Sequence, residues 1–231
     1  IFRKVAELSG DEFAAMIELY LRYYDGSSEE LVRQDLNNKT EVLLIYFSNE
    51  LVGFTAYQIY QKRWCAQTIQ IVFSGDTIVD CKHWGQQSLA FNWISRMGEL
   101  KRAQPEIPLY WFLLVKGHRT YRYLPAFTKS FYPHWSSRNL ELEQLAAELA
   151  KEKYGVDYNA KTGVIEFESS KGHLKKGVAE PTACERGKQA VKYFLDRNPN
   201  YQLGHELVCL YKFDEKNMKP LTRRIFSQGI S

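Results

Sequence analysis

The segment from residue 68 to residue 97, TIQIVFSGDTIVDCKHWGQQSLAFNWISRM, constrains the fold more than any other stretch. A run rich in β-branched residues pauses at Ser74-Gly75-Asp76 and ends at Asp80-Cys81. After a turn holding a single glycine, Gly85, the period changes, and Leu89, Trp93, Ile94 and Met97 recur at helical spacing. A strand that runs into a glycine turn and then a helix presents bare backbone N–H groups, the usual cradle for a phosphate. The next run, IPLYWFLLV at residues 107–115, is continuously apolar and reads as a strand buried on both faces. Strand, helix and buried strand in this order predict a parallel βαβ crossover.

The flanking segments extend this core. Phe13, Ile17, Tyr20, Leu21 and Tyr24 form a helical stripe that Ser9 or Asp11 can cap, and EELVRQDLNN forms a short second helix. EVLLIYFS and LVGFTAYQIY, joined at Asn49-Glu50, predict a hairpin. Gly53 within it marks a bulge or a close backbone approach. The interruption at Ser74–Asp76 leaves the third strand either kinked or split in two. Thr120 opens a helix carrying Tyr121, Leu124, Phe127 and Phe131, with Pro125 early in it and Pro133 ending it. From Ser136 the character changes. Residues 139–153 form an amphipathic helix with acid early and lysine late. Residues 154–180 read as a mobile loop or flap with one short strand at Val164–Phe167. A helix at Cys184–Arg197, a strand at Glu206–Phe213 and a polar tail follow. The expected organisation is a core over 1–135, a helical and loop insertion over 136–205, and a closing strand and tail over 206–231.

At 231 residues the chain can bury a sizeable core without staples. A net charge of +4 falls short of the concentrated charge of most nucleic-acid proteins, yet suits anionic small molecules or an acidic carrier. The four cysteines, without a C-x-x-C pair, read as free buried or half-buried thiols in a reducing cytosol. No apolar run approaches the ~18–20 residues of a membrane span, and no signal peptide shows at the start, so a cytoplasmic location is expected. The five histidines lack the close pairing of a metal site, so no metal is expected.

Two helices, a hairpin, a kinked strand, a glycine turn opening a helix, a buried strand and an aromatic helix resemble the GNAT (N-acetyltransferase) superfamily over residues 10–135. The family's turn typically reads Gln/Arg-x-x-Gly-x-Gly/Ala. Here it is Lys82-His83-Trp84-Gly85-Gln86-Gln87, which keeps the charge and the first glycine but places Gln87 where a small residue is usual. The resemblance implies an α/β fold: a mixed central sheet with a splayed parallel strand pair, flanked by helices, plus the C-terminal elaboration. It implies acyl transfer from acyl-CoA, or from the phosphopantetheine of an acyl carrier protein, to the amine of a small molecule by direct attack. Lys82, His83, Trp84, Gly85, Gln86, Gln87 and Ser88 would hold the donor. Gln87 would force the pyrophosphate to shift, or favour a carrier-bound donor.

Asp76 and Asp80 lie where the family's bases are found, and Asp76 is the candidate base. The family's acid, a tyrosine, aligns near Phe127, which has no proton to give; Tyr121 or Tyr132 can substitute. Lys116-Gly117-His118-Arg119 follows a strand C-terminus and reads as an exposed basic loop or a contact for phosphates or a carrier. Two other readings stay open: a GNAT-fold binding module without activity, and an RNA- or aminoacyl-tRNA-using transferase.

Overall fold

The computed structural model describes residues 1–229. In chain order the elements are β1 (Phe2–Lys4), α1 (Gly10–Tyr23), β2 (Tyr24–Asp25), α2 (Glu29–Asn37), β3 (Glu41–Phe47), β4 (Glu50–Trp64) and β5 (Gln67–Val79). Next come α3 (Ser88–Ala103), β6 (Leu109–Val115), α4 (His118–Tyr121), α5 (Tyr123–Phe127) and α6 (Leu140–Tyr154). Then follow β7 (Tyr158–Asn159), β8 (Val164–Ile165), β9 (His173–Leu174), α7 (Lys176–Ala179), α8 (Ala183–Arg186), α9 (Gln189–Arg197), β10 (Glu206–Lys212) and α10 (Pro220–Gln228).

The chain divides into two compact units. One comprises Ile1–Arg22, Ser28–Trp111 and the segment from Phe213; the other comprises Tyr23–Ser27 and Phe112–Lys212. In the first, the strands run in the order β1-β3-β4-β5-β6. The pairs β1/β3, β3/β4 and β4/β5 are antiparallel. β5 and β6 are parallel: Gln70 N–H donates to Pro108 O at 2.8 Å and Trp111 Nε1–H to Ser74 Oγ at 2.7 Å, both strands advancing together. The sheet is therefore mixed, and α3 is the crossover between its parallel strands.

Local chemistry explains these boundaries. Ser9 and Glu12 form a reciprocal capping box at the start of α1, and the Ser28 hydroxyl accepts from Leu31 N–H at the start of α2. The β3/β4 turn falls on Ser48-Asn49, one residue before the predicted Asn49-Glu50. The β4/β5 turn falls on Cys65-Ala66, and all four turn residues have positive φ, as a two-residue hairpin of this twist demands. Leu43, Leu44, Phe54, Ile69, Ile71 and Val72 are fully buried beneath these hairpins, each worth about 1.5–3 kcal/mol relative to exposure. Beyond β6, the polar tail of the sequence reading is instead α10. Its Thr222, Ile225 and Phe226 are buried, and Arg102 donates to Phe226 O at 2.6 Å. A Cβ at Gly98 of α3 would stand 1.9 Å from Phe226 O, so only glycine permits this approach.

In the second unit the order is β6-β10-β8-β7, with β2 and β9 as a separate pair. The segment read as a flap is built into these pairs: Val164 and Ile165 pair with both β7 and β10. α6 follows expectation, with Asn139 capping Leu142 N–H at 3.1 Å. The predicted helix from Thr120 to Phe131 is two short pieces ending at Phe127, because Pro125 lacks the N–H that would continue the ladder. The Cys184–Arg197 helix breaks likewise into α8 and α9 at Gly187-Lys188. The basic loop is not exposed. His118 is fully buried, Lys116 pairs with Glu206 at 3.1 Å, and Arg119 and Arg122 hold Glu185 at 3.4 and 3.1 Å. Cys209 is buried, whereas Cys65, Cys81 and Cys184 are exposed free thiols, not the sheltered ones expected. No described helix is long and apolar enough to cross a membrane.

Candidate active site

β5 is bent where the sequence broke its apolar run. Ser74 pairs with Tyr57 and Asp76 with the adjacent Ala56, so Gly75 is one residue too many for the ladder and β5 bulges there. A bulge leaves backbone groups outside the regular pairing and re-aims the side chains beside it. Asp76, largely buried, is turned toward Lys39, whose Nζ lies 3.3 Å from its Oδ2. The same ammonium is 2.5 Å from Asp35 Oδ2 and 5.5 Å above the Phe73 ring, and the Lys39 side chain is only 2% exposed.

Two carboxylates around one ammonium leave this cluster one negative charge in excess. Burial works against the Lys39 charge, but Asp76 and Asp35 outweigh it and hold its pKa above the ordinary value. Crowding by protein atoms, then the neighbouring Asp76 carboxylate, push Asp35 up to about 7, against the pull of Lys39. Asp35 keeps half of its side-chain surface in solvent. The cluster thus offers an inner acid at the bulge and an outer acid open to water, able to hold one proton near neutrality.

Past the bulge, Asp80 ends β5 and organises the turn. It accepts from Lys82 N–H at 3.0 Å and is paired with Arg22 at 3.2 Å, so it serves as cap and anchor. A single 3-10 turn, Cys81–His83, follows, and Gly85 has φ +92°, the left-handed region that glycine alone enters freely. Trp84 Nε1–H donates to Val79 O at 2.8 Å, folding the turn back on its strand. The His83 ring lies 4.9 Å from Phe47 and its Nδ1 is 3.1 Å from Gln86 Nε2.

The start of α3 carries no side-chain cap from Gln87. Lys82, Trp84, Gly85, Gln86, Gln87 and Ser88 are exposed, with His83 half-buried. A Cβ at Gly85 would meet nothing within 4 Å, so among the described residues the space beside this glycine is open. Uncapped first-turn amides, the positive end of a helix of 16 residues and an open glycine fit a phosphate-bearing ligand. The helix itself is held firmly. Arg96 grips Glu41 with two hydrogen bonds of 3.0 and 2.7 Å, Tyr57 donates to the same carboxylate at 2.8 Å, and Trp93 packs edge-on to Tyr57.

The remaining candidates lie in the second unit. Tyr121 is fully buried and donates its proton to Pro133 O at 2.7 Å. Tyr132 pairs through its backbone with Leu210 and sits half-buried, its phenol pushed up by burial. The first unit thus gathers Asp76 and the whole turn, and the second brings Tyr121 beside the Tyr132-Pro133 peptide. Sequence spacing missed Asp35 and Lys39. Their i, i+4 offset reads as a solvated helix pair, and only the bulge brings Asp76 to them.

No family model matches the chain, and no curated protein matches it. Solved structures similar to part of it include a conserved protein of unknown function from Enterococcus faecalis V583, described as a probable N-acyltransferase. That match has 12% identity and a TM-score of 0.39, covering 53% of this chain and 30% of that one. The GNAT family N-acetyltransferase YhbS of Escherichia coli, solved in complex with CoA, matches at 16% identity and a TM-score of 0.40, over 55% of this chain and 67% of that one. ElaA of Escherichia coli matches at 15% identity and a TM-score of 0.37, over 59% and 92%. The chain therefore spans under a third of the length of the Enterococcus structure.

Proposed function

We propose that this chain is a GNAT-type acyltransferase that moves an acyl group from acyl-CoA to the amine of a small molecule. One observation carries the reading: a bulged strand, β5, leads through an open glycine turn into the uncapped amides of α3. In this reading the amides of Gly85, Gln87 and Ser88 take the pyrophosphate, with Lys82 supplying charge and His83, Trp84 and Gln86 flanking it. Backbone groups freed at the bulge polarise the thioester carbonyl. Asp76 removes a proton from the acceptor ammonium, the nitrogen attacks the carbonyl carbon, and the carbon–sulfur bond breaks as the thiolate leaves. Asp35 then gives the proton on Asp76 a way to water. Of the two candidate acids for the leaving thiolate, Tyr121 is committed to Pro133 O, whereas the Tyr132 hydroxyl has no acceptor among the described residues.

Calorimetric titration with acetyl-CoA, long-chain acyl-CoA and an acyl carrier protein tests this directly. Micromolar binding of a coenzyme A thioester supports it; binding of the carrier alone moves the donor to carrier-bound phosphopantetheine. The commitment of Tyr121 to Pro133 and the bulk of Gln87 favour a second reading, a binding module of the same fold without turnover. Donor binding with no acyl transfer to any of a panel of primary amines would select it.

A further inference from the structure

We propose that Arg197, with the hydroxyls of Tyr158 and Tyr193, forms a binding site in the second unit for the carboxylate of a small aromatic molecule. Arg197 ends α9 and donates from Nη2 to Thr162 O at 2.7 Å. Among the described residues it has no carboxylate partner, and its Nε is buried without a hydrogen bond. An arginine with a sheltered donor and no acid is unusual, since buried donors are otherwise paired.

The surroundings are equally uncommitted. The hydroxyls of Tyr132, Tyr158 and Tyr193 have no hydrogen-bond partner among the described residues. Burial pushes the pKa of each of these phenols up, and the Arg197 charge acts on each in the opposite direction, so all three share its field. Gly163 fixes the geometry: a Cβ there would lie 2.8 Å from Tyr132 Oη and 3.4 Å from Arg197 Nη2. Two polar groups converge over a residue that has no side chain. Next along the chain, Asn198 Oδ1 is also buried and unbonded.

The charge count selects the ligand. The acid whose field reaches these phenols, Glu143, is held by Arg138 at 2.7 and 3.2 Å, and Glu166 accepts from Asn159 and Thr162 at 3.0 and 3.2 Å, so neither acid is paired with Arg197. One planar guanidinium with hydroxyl donors beside it matches a planar monoanion, and the fork pairs with a carboxylate through two parallel bonds. The ring of Trp135 stands 6.4 Å from that of Tyr193, and Tyr121 stands 6.0 Å from it, giving a flat apolar body rings to pack on. The site is argued independently of acyl transfer. Tyr132 is kept out of its test because the proposed chemistry already gives it a role.

The full chain is titrated with benzoate, benzamide and phenyl phosphate, followed at the Arg197 Nε–H resonance and by calorimetry. Benzoate is expected to shift that resonance and to bind with a dissociation constant below about 1 mM, with benzamide at least about tenfold weaker. Arg197→Lys keeps the charge but loses the fork, and weakens benzoate by about tenfold or more; Tyr193→Phe weakens it by about threefold. Arg197→Lys also loosens Thr162, so its melting is recorded alongside, while the wild-type arms need no variant. Equal binding of benzamide, or a silent Nε–H resonance with all three probes, overturns the site. Phenyl phosphate binding more tightly than benzoate overturns the carboxylate assignment.

Discussion

Two polar clusters of this protein handle charge in opposite ways. Around the β5 bulge, Asp35 and Asp76 share the single ammonium of Lys39 within hydrogen-bonding range. Around α9, the Arg197 charge acts on three phenols, and no acid among the described residues pairs with it. The first cluster is closed and ties α2 to the bend in the sheet, so its loss is felt in stability. The second is open, and its loss is felt in binding. A buried charge that is internally paired holds structure together; one that keeps a sheltered donor without an acceptor is arranged for something else.

The sharpest way to break that contrast is Lys39→Met. It takes the ammonium from between the sheltered Asp76 and the half-exposed Asp35 and should cost about 3 kcal/mol in urea unfolding, because breaking a buried pair strands the remaining charge. Gly98→Ala should come next, at about 2–3 kcal/mol, since a Cβ would collide with Phe226 O and push α10 from α3. Arg197→Met, by contrast, forfeits one hydrogen bond to Thr162 and should cost only about 1 kcal/mol. If Arg197→Met proves as costly as Lys39→Met, the α9 cluster is structural and the contrast fails.

Asp35→Asn sharpens the comparison through pH. The Asp35 pKa is raised from 3.8 to about 7, so the folded state favours its protonated form. That contribution is fully present below the unfolded value near 3.8 and is lost as pH rises through about 7. The wild type should therefore lose stability from this group between those limits, and the variant should not. With half of the side chain in water, the difference is on the order of 1 kcal/mol. Unfolding curves for both proteins across this window check it, and parallel curves would show that Asp35 is ionised throughout.

Much of the first unit was legible because its physics is local. The switch from strand to helix period around Gly85 located α3, and the Ser74–Asp76 interruption marked the bulge that β5 contains. The hairpin turn at Cys65-Ala66 was hidden because neither residue carries the glycine or asparagine signature of positive φ. α10 was hidden by Arg223 and Arg224, which mask the stripe of Thr222, Ile225 and Phe226. The α9 cluster draws on residues 132, 158, 163, 193 and 197, spread over three stretches of chain that no spacing rule connects. Asp76 could be read as a site residue, but its partners could not, because the bulge rather than the sequence interval chooses them.

The central claim, that the corner before α3 receives the phosphates of a coenzyme A thioester, is tested most directly by titrating acetyl-CoA into the wild type and Gly85→Glu. A carboxylate at that corner repels phosphate and fills the open face, so affinity should fall by about 100-fold or more, roughly 2.7 kcal/mol. Melting should drop by only the modest strain of a side chain at positive φ. Equal affinity in the two proteins, with both folded, would contradict the account.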